Sequence, residues 1–265
     1  MPELPEVETA RRSAQQNLAG KRISAVYAAR DPIVFDGAGP GKINFALKHR
    51  KILCFSRKGK YIWMELDSGL SVLFHFGMTG RFHFYTDKAQ RCRFCKLELH
   101  TDDGRFFAMT NKRRLGRIRL LDDPRNSPPV MRLGFDVYSD PIDASGIYPL
   151  LRKRKAAIKA VLLDQKIFAG VGNWIADEVL YQAGVDPRRL ACKLSSDDAK
   201  RICRCLKRIV KKAVAVSADK ERFPKTWLFH CRWGKDPRAR DHYGDKIHFT
   251  QIAGRTTAWV PEKQT

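Results

Sequence analysis

The feature that most constrains the fold is a change of hydrophobic pattern on either side of a proline-rich segment. From residue 21 to about 121, short apolar and β-branched runs alternate with Gly and Asp-Gly turns. Such runs are typical of strands in a sheet-rich sandwich or barrel. Residues 123–149 contain five prolines, and the residues after them have a helical period. The sequence therefore predicts an α+β protein of two domains.

The predicted elements follow this division. Strands are expected at residues 23–27, 51–55, 61–66, 72–76, 81–85, 96–99 and 117–121. Helices are expected at residues 4–18, 156–165, 173–183 and 195–216. The last helix opens with Ser195 and Asp198 at the spacing of a capping box, and residues 246–260 are typical of a terminal hairpin. The predicted domains are 1–122 and 150–265, and 123–149 is predicted to be the linker between them.

The charge of the chain indicates a polyanionic partner. Lys and Arg number 51 against 28 Asp and Glu, which gives a net charge of +23. Both halves are basic, so nucleic acid is the first candidate, and composition alone does not distinguish it from a membrane surface. No run approaches the ~18 apolar residues of a membrane span. The N-terminus lacks the pattern of a signal peptide, and an odd cysteine count favours a reducing compartment. We therefore expect a protein that is not secreted.

The first three residues are the sharpest candidate for catalysis. Removal of Met1 would leave Pro2 with a free secondary amine, and α-amino groups have a pKa near ~8. A neutral amine can attack an electrophilic carbon and form a Schiff base. Glu3 would lie beside it as proton donor and acceptor, near a helix N-terminus. The alternative is an inert chain end whose Pro-Glu pair only starts a helix.

A glycine-rich turn and several basic loops are further candidates. Gly170-Val171-Gly172 precedes Asn173, which is predicted to be a helix N-cap, and the turn would let backbone N–H groups approach a phosphate. Two basic loops, 57–60 and 112–114, could bind DNA or be solvated surface. For each of these features the structural alternative stays open.

Metal binding has weak support in the sequence. Cys92-x2-Cys95 has no second cysteine pair downstream, and the spacing of His230, Cys231, His242 and His248 is irregular. Structural zinc sites take four ligands in paired clusters. The glycine-rich segment 37–41 is predicted to be a loop. We expect neither a metal nor another cofactor.

Taken together, the motifs closely resemble the formamidopyrimidine-DNA glycosylases and their endonuclease VIII relatives. The resemblance covers essentially the whole chain. It rests on residues 2–9 (PELPEVET), 57–60 (RKGK), 77–80 (GMTG), 112–114 (KRR), 170–180 (GVGNWIADEVL) and 254–257 (GRTT).

The resemblance implies a bifunctional DNA glycosylase and AP lyase that acts as a monomer on duplex DNA with oxidised bases or abasic sites. Pro2 would attack C1′ of the damaged nucleotide, and Glu3 would protonate the opening deoxyribose. Lys58 would assist catalysis and the β-elimination. Arg255 would grip the lesion phosphate and serve the δ-elimination.

Further residues receive DNA-binding roles from the resemblance. Met78, Arg113 and Leu115 would fill the gap that a flipped base leaves. Phosphate or DNA contacts are expected from Lys96, Arg154, Lys159 and Asn173. The resemblance also implies a β-sandwich with an N-terminal helix, a helix–two-turn–helix domain, and a basic cleft between the two that holds the DNA.

The sequence departs from the family pattern at two places, and these bear on the branch of the family and on the preference for the opposite base. Many members have four cysteines around the terminal hairpin, whereas this chain has none after Cys231, so it resembles the zincless-finger branch. A nuclear location is then expected in a eukaryote, and a cytoplasmic one otherwise. Leu115 stands where bacterial members have Phe, which affects the preference for the opposite base.

A short segment at residues 217–224 bears on substrate choice, because specialised bacterial relatives have a longer loop there. It predicts good cleavage of formamidopyrimidines and hydantoins and poorer cleavage of 8-oxoguanine. A non-catalytic damage-binding protein and an RNA or ribosome partner are the alternatives, and neither explains the Pro2-Glu3 pair.

Overall fold

The computed structural model describes residues 1–141 and 143–265, and these form two compact units. The sandwich unit comprises residues 1–2 and 6–132, and the helical unit comprises residues 3–5 and 133–265. The boundary lies within the segment 123–149 that was predicted to be a linker. No helix of the described residues is long and apolar enough to cross a membrane.

The sandwich unit consists of two α-helices and two antiparallel sheets of four strands each. Helix α1 spans Leu4–Leu18, and α2 spans Pro40–Leu47. The strands are β1 (Ile23–Ala28), β2 (Ile52–Lys58), β3 (Tyr61–Leu66), β4 (Ser71–His75), β5 (Arg81–Tyr85), β6 (Cys95–Thr101), β7 (Phe106–Thr110) and β8 (Arg117–Leu121). One sheet has the order β1-β6-β7-β5 and the other β2-β3-β4-β8.

One apolar core joins the two sheets of this unit. Side chains from both, including Met64, Phe74 and Phe107, pack with Val7 and Leu18 of α1. The predicted sandwich and N-terminal helix are thus confirmed. The apolar runs that the sequence showed in strands β3 and β4 supply buried side chains to this core.

Two elements of this unit were not predicted. Helix α2 begins inside the glycine-rich segment that was expected to be a loop, because Pro40 occupies its first turn and Ile43, Ala46 and Leu47 are buried on one face. Strand β7 has the sequence FFAMT, in which four consecutive residues are buried. It lacks alternation because both of its faces are covered.

In its described residues, the helical unit contains four α-helices, two short parallel strands and a terminal hairpin. The helices are α3 (Ala144–Arg152), α4 (Ile158–Leu163), α5 (Asn173–Ala183) and α6 (Ser196–Ala215). The strands are β9 (Phe135–Asp136), β10 (Phe168–Ala169), β11 (His248–Ile252) and β12 (Arg255–Trp259). β9 pairs with β10, and β11 pairs with β12.

Local capping signals set several of these helix ends. Ser195 and Asp198 form the predicted capping box at the start of α6. Gly184 ends α5 in the left-handed conformation. Asp143 caps α3, which therefore begins inside the segment predicted to be a linker and includes Pro149.

Candidate active site

Glu3 reaches from the start of the chain to the N-terminus of α5. Its carboxylate is buried and accepts hydrogen bonds from the backbone N–H groups of Trp174 (2.9 Å) and Ile175 (3.2 Å). The first amides of a helix have no acceptor within the helix, and the helix dipole favours an anion there. The carboxylate of Glu3 is therefore fixed in place by two backbone donors.

The glycines of the turn before α5 make room for the N-terminal residues. A Cβ atom at Gly172 would collide with the Glu3 carboxyl group, and one at Gly170 would collide with the Leu4 side chain. Gly170 also has φ +99°, and its carbonyl accepts a hydrogen bond from the Leu4 N–H at 3.2 Å. The contact that requires these glycines is thus with Glu3 and Leu4, whereas the sequence suggested close approach of a phosphate.

The predicted N-cap at Asn173 is wrong, because Gly172 is the N-cap and Asn173 is the first helical residue. Glu3 supplies the acceptors that a capping side chain would supply. Asn173 instead donates a hydrogen bond from Nδ2 to the Thr256 carbonyl at 2.9 Å, which ties α5 to β12. Among the described residues, no further acceptor takes the second hydrogen of that amide nitrogen.

Pro2, the neighbour of Glu3 in the chain, lines a cavity of about 710 Å³ in the sandwich unit. Met78 and Lys112 line the same cavity, so it includes one predicted catalytic and one predicted DNA-binding residue. Its other walls are aromatic side chains of the sheet and polar residues of α1: Phe76, Phe82, Phe84, Glu6, Thr9 and Ser13. The polar residues were not predicted, although their three- to four-residue spacing marks one face of α1.

The structure brings Met78, Arg113 and Leu115 together, as two loops pack closely. A Cβ atom at Gly77 would collide with the backbone of Leu115, and the Arg113 N–H lies 3.3 Å from the Thr79 hydroxyl oxygen. Met78 is half-buried, whereas Arg113 and Leu115 are exposed. A pair of loops with two exposed tips is the arrangement that insertion into a base stack needs.

Asn111 joins these two loops through its side chain, and no pattern in the sequence predicted this role. Its side chain is fully buried; Nδ2 donates to the Phe76 carbonyl at 2.9 Å, and Oδ1 accepts from the Gly116 N–H at 3.2 Å. One neutral amide thus satisfies a backbone group in each loop.

Lys96 lies near the start of β6 and forms an ion pair with Asp31. Its ammonium group lies 2.8 Å from the Asp31 carboxylate, and the Arg114 guanidinium lies 3.0 Å from it. Burial alone would raise the pKa of Asp31, but the hydrogen bonds from Arg114 and Lys96 lower it well below its usual range. Lys96, a predicted DNA contact, therefore helps to hold the loop of Arg113 and Leu115.

Lys58 ends β2 at the turn into β3, and its side chain is half-buried. Arg57 faces the other side of the strand and lies 2.9 Å from Glu8. Burial alone would raise the pKa of Glu8, but hydrogen bonds from Arg11, Arg57 and Arg12 lower it to about 2. Of the two neighbouring cations, Arg57 is thus part of an internal ion cluster, and Lys58 is the last residue of β2 before the turn.

Arg255, like Lys58, lies next to the turn of a β-hairpin, here the terminal hairpin. It is exposed and begins β12, directly after the turn at Ala253 and Gly254. Arg154 is also exposed and follows α3. Both predicted phosphate contacts therefore present their guanidinium groups to solvent.

Lys159 was predicted to contact DNA directly, but the structure buries its side chain completely. Its ammonium group lies 2.5 Å from Asp177 and donates to the Thr257 hydroxyl at 2.8 Å. Burial lowers the pKa of Lys159, although Asp177 acts in the opposite direction. Asp177 also pairs with Arg232 at 2.5 Å and accepts a hydrogen bond from the Ala258 N–H at 3.2 Å.

These residues, Lys159, Asp177 and Arg232, are named the buried ion triad below. The triad joins α4 and α5 to β12, the strand that Arg255 begins. Asp177 and Arg232 were not predicted as site residues, because a buried charge pair leaves no spacing signal in the sequence.

The described residues contain no group of three or more His, Cys, Asp or Glu side chains that could hold a metal ion. Cys92 and Cys95 are both half-buried thiols, and burial is the main cause that raises the pKa of Cys95 to about 12.

The fold and the site define a two-domain protein with a proline at position 2, a carboxylate that caps a helix, and exposed cationic loops. Comparisons with known proteins name its class. Residues 1–118 match the profile of the formamidopyrimidine-DNA glycosylase N-terminal domain, and residues 133–224 match that of the formamidopyrimidine-DNA glycosylase H2TH domain.

Individual relatives agree with these profiles. Formamidopyrimidine-DNA glycosylase of Arabidopsis thaliana is 39% identical, over 100% of this chain and 71% of the relative. The enzyme of that name from Desulfitobacterium hafniense is 31% identical, over 98% of both chains. The crystal structure of Lactococcus lactis formamidopyrimidine-DNA glycosylase, non-covalently bound to DNA with an AP site, matches with a TM-score of 0.88 at 25% identity, over 99% of both chains.

The chain belongs to the formamidopyrimidine-DNA glycosylase family. It is thus a DNA glycosylase of base excision repair, as the motifs predicted, with the α+β fold of that family.

Proposed function

We propose that this protein is a bifunctional glycosylase and AP lyase that forms a Schiff base at Pro2. The observation that carries the proposal is the fixed carboxylate of Glu3, held by two helix amides and directly adjacent to Pro2 in the chain. A buried carboxylate at that position suits proton transfer at an atom that the Pro2 nitrogen attacks. The proposed partner is duplex DNA with a damaged base or an abasic site, bound by a monomer.

The proposed chemistry begins once Met1 has been removed. The lone pair of the Pro2 nitrogen forms a bond to C1′, and the glycosidic bond breaks with its electron pair going to the base, which takes a proton from solvent. The proton on the Pro2 nitrogen passes to the Glu3 carboxylate. The nitrogen lone pair then opens the bond between C1′ and O4′, Glu3 gives its proton to O4′, and an iminium joins the sugar to Pro2. Loss of a C2′ proton expels the 3′ phosphate by β-elimination, and a second elimination expels the 5′ phosphate.

The half-buried cation Lys58 and the exposed cations Arg154 and Arg255 are proposed to hold phosphates during these steps, together with the second amide hydrogen of Asn173. Lys58 would assist β-elimination and Arg255 δ-elimination. Charge-assisted contacts of this kind position the lesion for reaction.

Two predicted DNA contacts receive a positioning role in this proposal. Lys159 would act through the buried ion triad, which fixes the strand that Arg255 begins. Lys96 would act through Asp31, which fixes the loop of Arg113 and Leu115. Met78, Arg113 and Leu115 would then fill the space of the flipped base.

The proposed substrates are formamidopyrimidines and hydantoin lesions, with 8-oxoguanine cut more slowly. The segment 217–224 is a compact turn in which Ala218 donates back to the Ala213 carbonyl, at 2.8 Å. Such a turn leaves few backbone donors for the single oxygen that distinguishes 8-oxoguanine from guanine. Single-turnover rates on matched duplexes test this proposal, and equal rates for 8-oxoguanine opposite cytosine and for a hydantoin would overturn it.

Borohydride trapping on a duplex with an abasic site tests the mechanism. We expect one covalent adduct, located at Pro2 by peptide mapping, from protein without Met1. A chain that keeps Met1 should give no adduct at Pro2, since its Pro2 nitrogen is an amide. An adduct located at a lysine would refute the Schiff base at Pro2, and tight binding without any adduct would favour a damage-binding protein.

Matched substitutions separate the proposed roles. Glu3→Gln should lower the rate of adduct formation by a factor of about 10² or more, in line with the loss of a general acid. Lys58→Gln should slow β-elimination, whereas Lys60→Gln, in the same turn, serves as its control. Arg255→Gln should allow trapping but reduce the δ-elimination product. A ratio of δ-elimination to β-elimination product equal to that of the wild type would remove Arg255 from the proposal.

A further inference from the structure

Helix α6 presents an unusual cationic surface that the proposed reaction does not use. Every exposed residue between positions 200 and 212 is Lys or Arg, and this stretch contains no acidic residue. We call this set the α6 basic face: Lys200, Arg201, Arg204, Lys207, Arg208, Lys211 and Lys212. None of the residues assigned to the active site lies on α6.

The opposite, apolar face of α6 is buried in the core of the helical unit. Ile202, Leu206, Ile209 and Val210 are buried in the core, where α6 packs against α3 and α5. A basic amphipathic helix commonly binds membranes or partner grooves through its apolar side. That mode requires an available apolar face, so the α6 basic face can act only through its charges.

Most of this charge is not balanced within the protein. Lys200 pairs with Asp197 at 2.9 Å and Arg201 with Asp198 at 2.6 Å, both at the first turn of the helix. Further along, among the residues that the structure describes, no ion pair joins Arg204, Lys211 or Lys212 to an acid. Like charges three or four residues apart repel each other and destabilise the helix, and an external polyanion would remove that repulsion.

We propose that the α6 basic face binds the phosphate backbone of a second DNA segment while the active site holds the first. From Lys200 to Lys212 the helix rises about 18 Å, at 1.5 Å per residue. One strand of B-DNA places a phosphate every 3.4 Å along the axis, so this length faces about five phosphates. The number of exposed cations is sufficient to contact all of them.

The composition of the surface favours DNA over an acidic protein segment. No large apolar residue is exposed on α6, and four of its seven exposed cations are Lys. Protein interfaces are depleted in Lys and depend on buried anchors such as Trp and Tyr. Lysine and arginine heads without such anchors contact phosphates in any register, independent of base sequence. A glycosylase that holds two segments could pass from one to the other without full release.

The stoichiometry of binding to short duplexes tests this proposal. The variant Arg204→Gln/Lys207→Gln/Lys211→Gln/Lys212→Gln is compared with Lys42→Gln/Lys48→Gln/Lys51→Gln/Lys88→Gln, which removes the same charge from exposed lysines of the sandwich unit. We expect two 16-base-pair duplexes per chain for the wild type and the control, and one for the α6 variant, by sedimentation with duplex in excess.

The salt dependence of the second binding step provides an independent readout. Contact with about four or five phosphates gives the second binding step of the wild type a slope of log K against log salt near −4, and the control variant should keep this slope. An unchanged stoichiometry and slope in the α6 variant overturn the proposal. Displacement of the second duplex by a glutamate-rich peptide at lower concentration than by competing duplex also overturns it, and assigns the face to an acidic protein.

The same experiment separates this proposal from the proposed active site. One duplex on the wild type and none on the α6 variant would support the α6 basic face and refute DNA binding at the active site. One duplex on both would refute the α6 basic face alone. Lyase activity on a short duplex should be equal in the α6 variant and the control.

Discussion

The two units hold their exposed cationic loops by different physical means. In the sandwich unit, the loop of Arg113 and Leu115 rests on a large core, on the neutral amide of Asn111 and on the ion pairs that the buried Asp31 makes with Lys96 and Arg114. In the helical unit, the hairpin of Arg255 has two strands and a small apolar cluster, and the buried ion triad attaches it to α4 and α5.

The difference shows where each unit is vulnerable. A two-stranded hairpin is marginal by itself in water, so its position depends on a few contacts. Buried charges are costly when unpaired, whereas a lost neutral hydrogen bond costs less. Substitutions in the triad should therefore have larger effects than substitutions that loosen the sandwich loops.

The largest expected effect is that of Asp177→Ala. It leaves Lys159 and Arg232 buried without their anion, which should reduce the free energy of unfolding by about 3–5 kcal/mol. Asp197→Ala is the control, because the Asp197 side chain is 77% exposed and its removal should change stability by less than about 0.5 kcal/mol. Urea unfolding measures both, and similar losses in the two variants would contradict the comparison.

A variant that replaces all three charges sharpens this test. Lys159→Met/Asp177→Leu/Arg232→Met removes the unpaired charges and should recover much of the stability that Asp177→Ala loses. If the triad positions Arg255, δ-elimination should remain impaired in this variant although the fold is stable. Full activity there would show that the triad has no positioning role.

The second effect is a pH dependence carried by Glu178, a buried residue of α5. Burial raises the pKa of Glu178 to about 7, against hydrogen bonds from Gln182 and the Phe229 N–H. Since the folded state holds its proton more tightly than the unfolded chain, this group's contribution to stability is full below about pH 4.5. It is lost as pH rises to 7, by up to about 3 kcal/mol.

Glu178→Gln should remove that dependence, so the free energy of unfolding of the wild type and that of the variant should differ by an amount that changes between pH 4.5 and 7. Urea unfolding measures this difference, and a difference independent of pH would contradict the assignment.

The sandwich unit provides the opposite case. The pKa of Glu8 is lowered to about 2, so its contribution to stability is present above pH 4.5 and is lost as pH falls towards 2.

A smaller effect is expected for Asn111→Ala in the sandwich unit. The substitution leaves the Phe76 carbonyl and the Gly116 N–H without their buried partner, at a cost of about 1–3 kcal/mol. Hydrogen exchange should increase at residues 112–116. Asn126→Ala, at an exposed asparagine, is the control, and equal exchange rates in the two variants would exclude Asn111 as the joint between the loops.

The smallest effect concerns the turn of the terminal hairpin. Ala253 has φ +49°, a left-handed conformation that costs a residue with a Cβ about 1 kcal/mol. The turn of the β2–β3 hairpin has Gly59 at its positive-φ position, φ +57°. Ala253→Asn should therefore stabilise the chain by about 0.5–1 kcal/mol, because Asn-Gly suits a two-residue hairpin turn.

Thermal unfolding measures this gain, with Gly254→Ala as a variant of opposite sign. Gly254 has φ +69°, so an added Cβ should lower stability by about 1 kcal/mol. A loss of stability in both variants would show that the turn changes conformation.

The sequence by itself determined the elements whose signals are local. The bounds of α1 and α5 agree with those predicted from helical spacing, and Ser195 and Asp198 form the predicted capping box. The same local motifs indicated the family. These features follow from contacts between residues a few positions apart, which a pattern along the chain records directly.

The tertiary structure decided what depends on distant partners. Glu3 caps a helix that begins 170 residues further along the chain, so Asn173 is not the N-cap. Lys159 looks like a surface cation in the sequence, but Asp177, one helix away, stabilises it inside the protein. A pattern of residue types carries no information on which distant side chain will lie within 3 Å, because packing of the whole unit sets that distance.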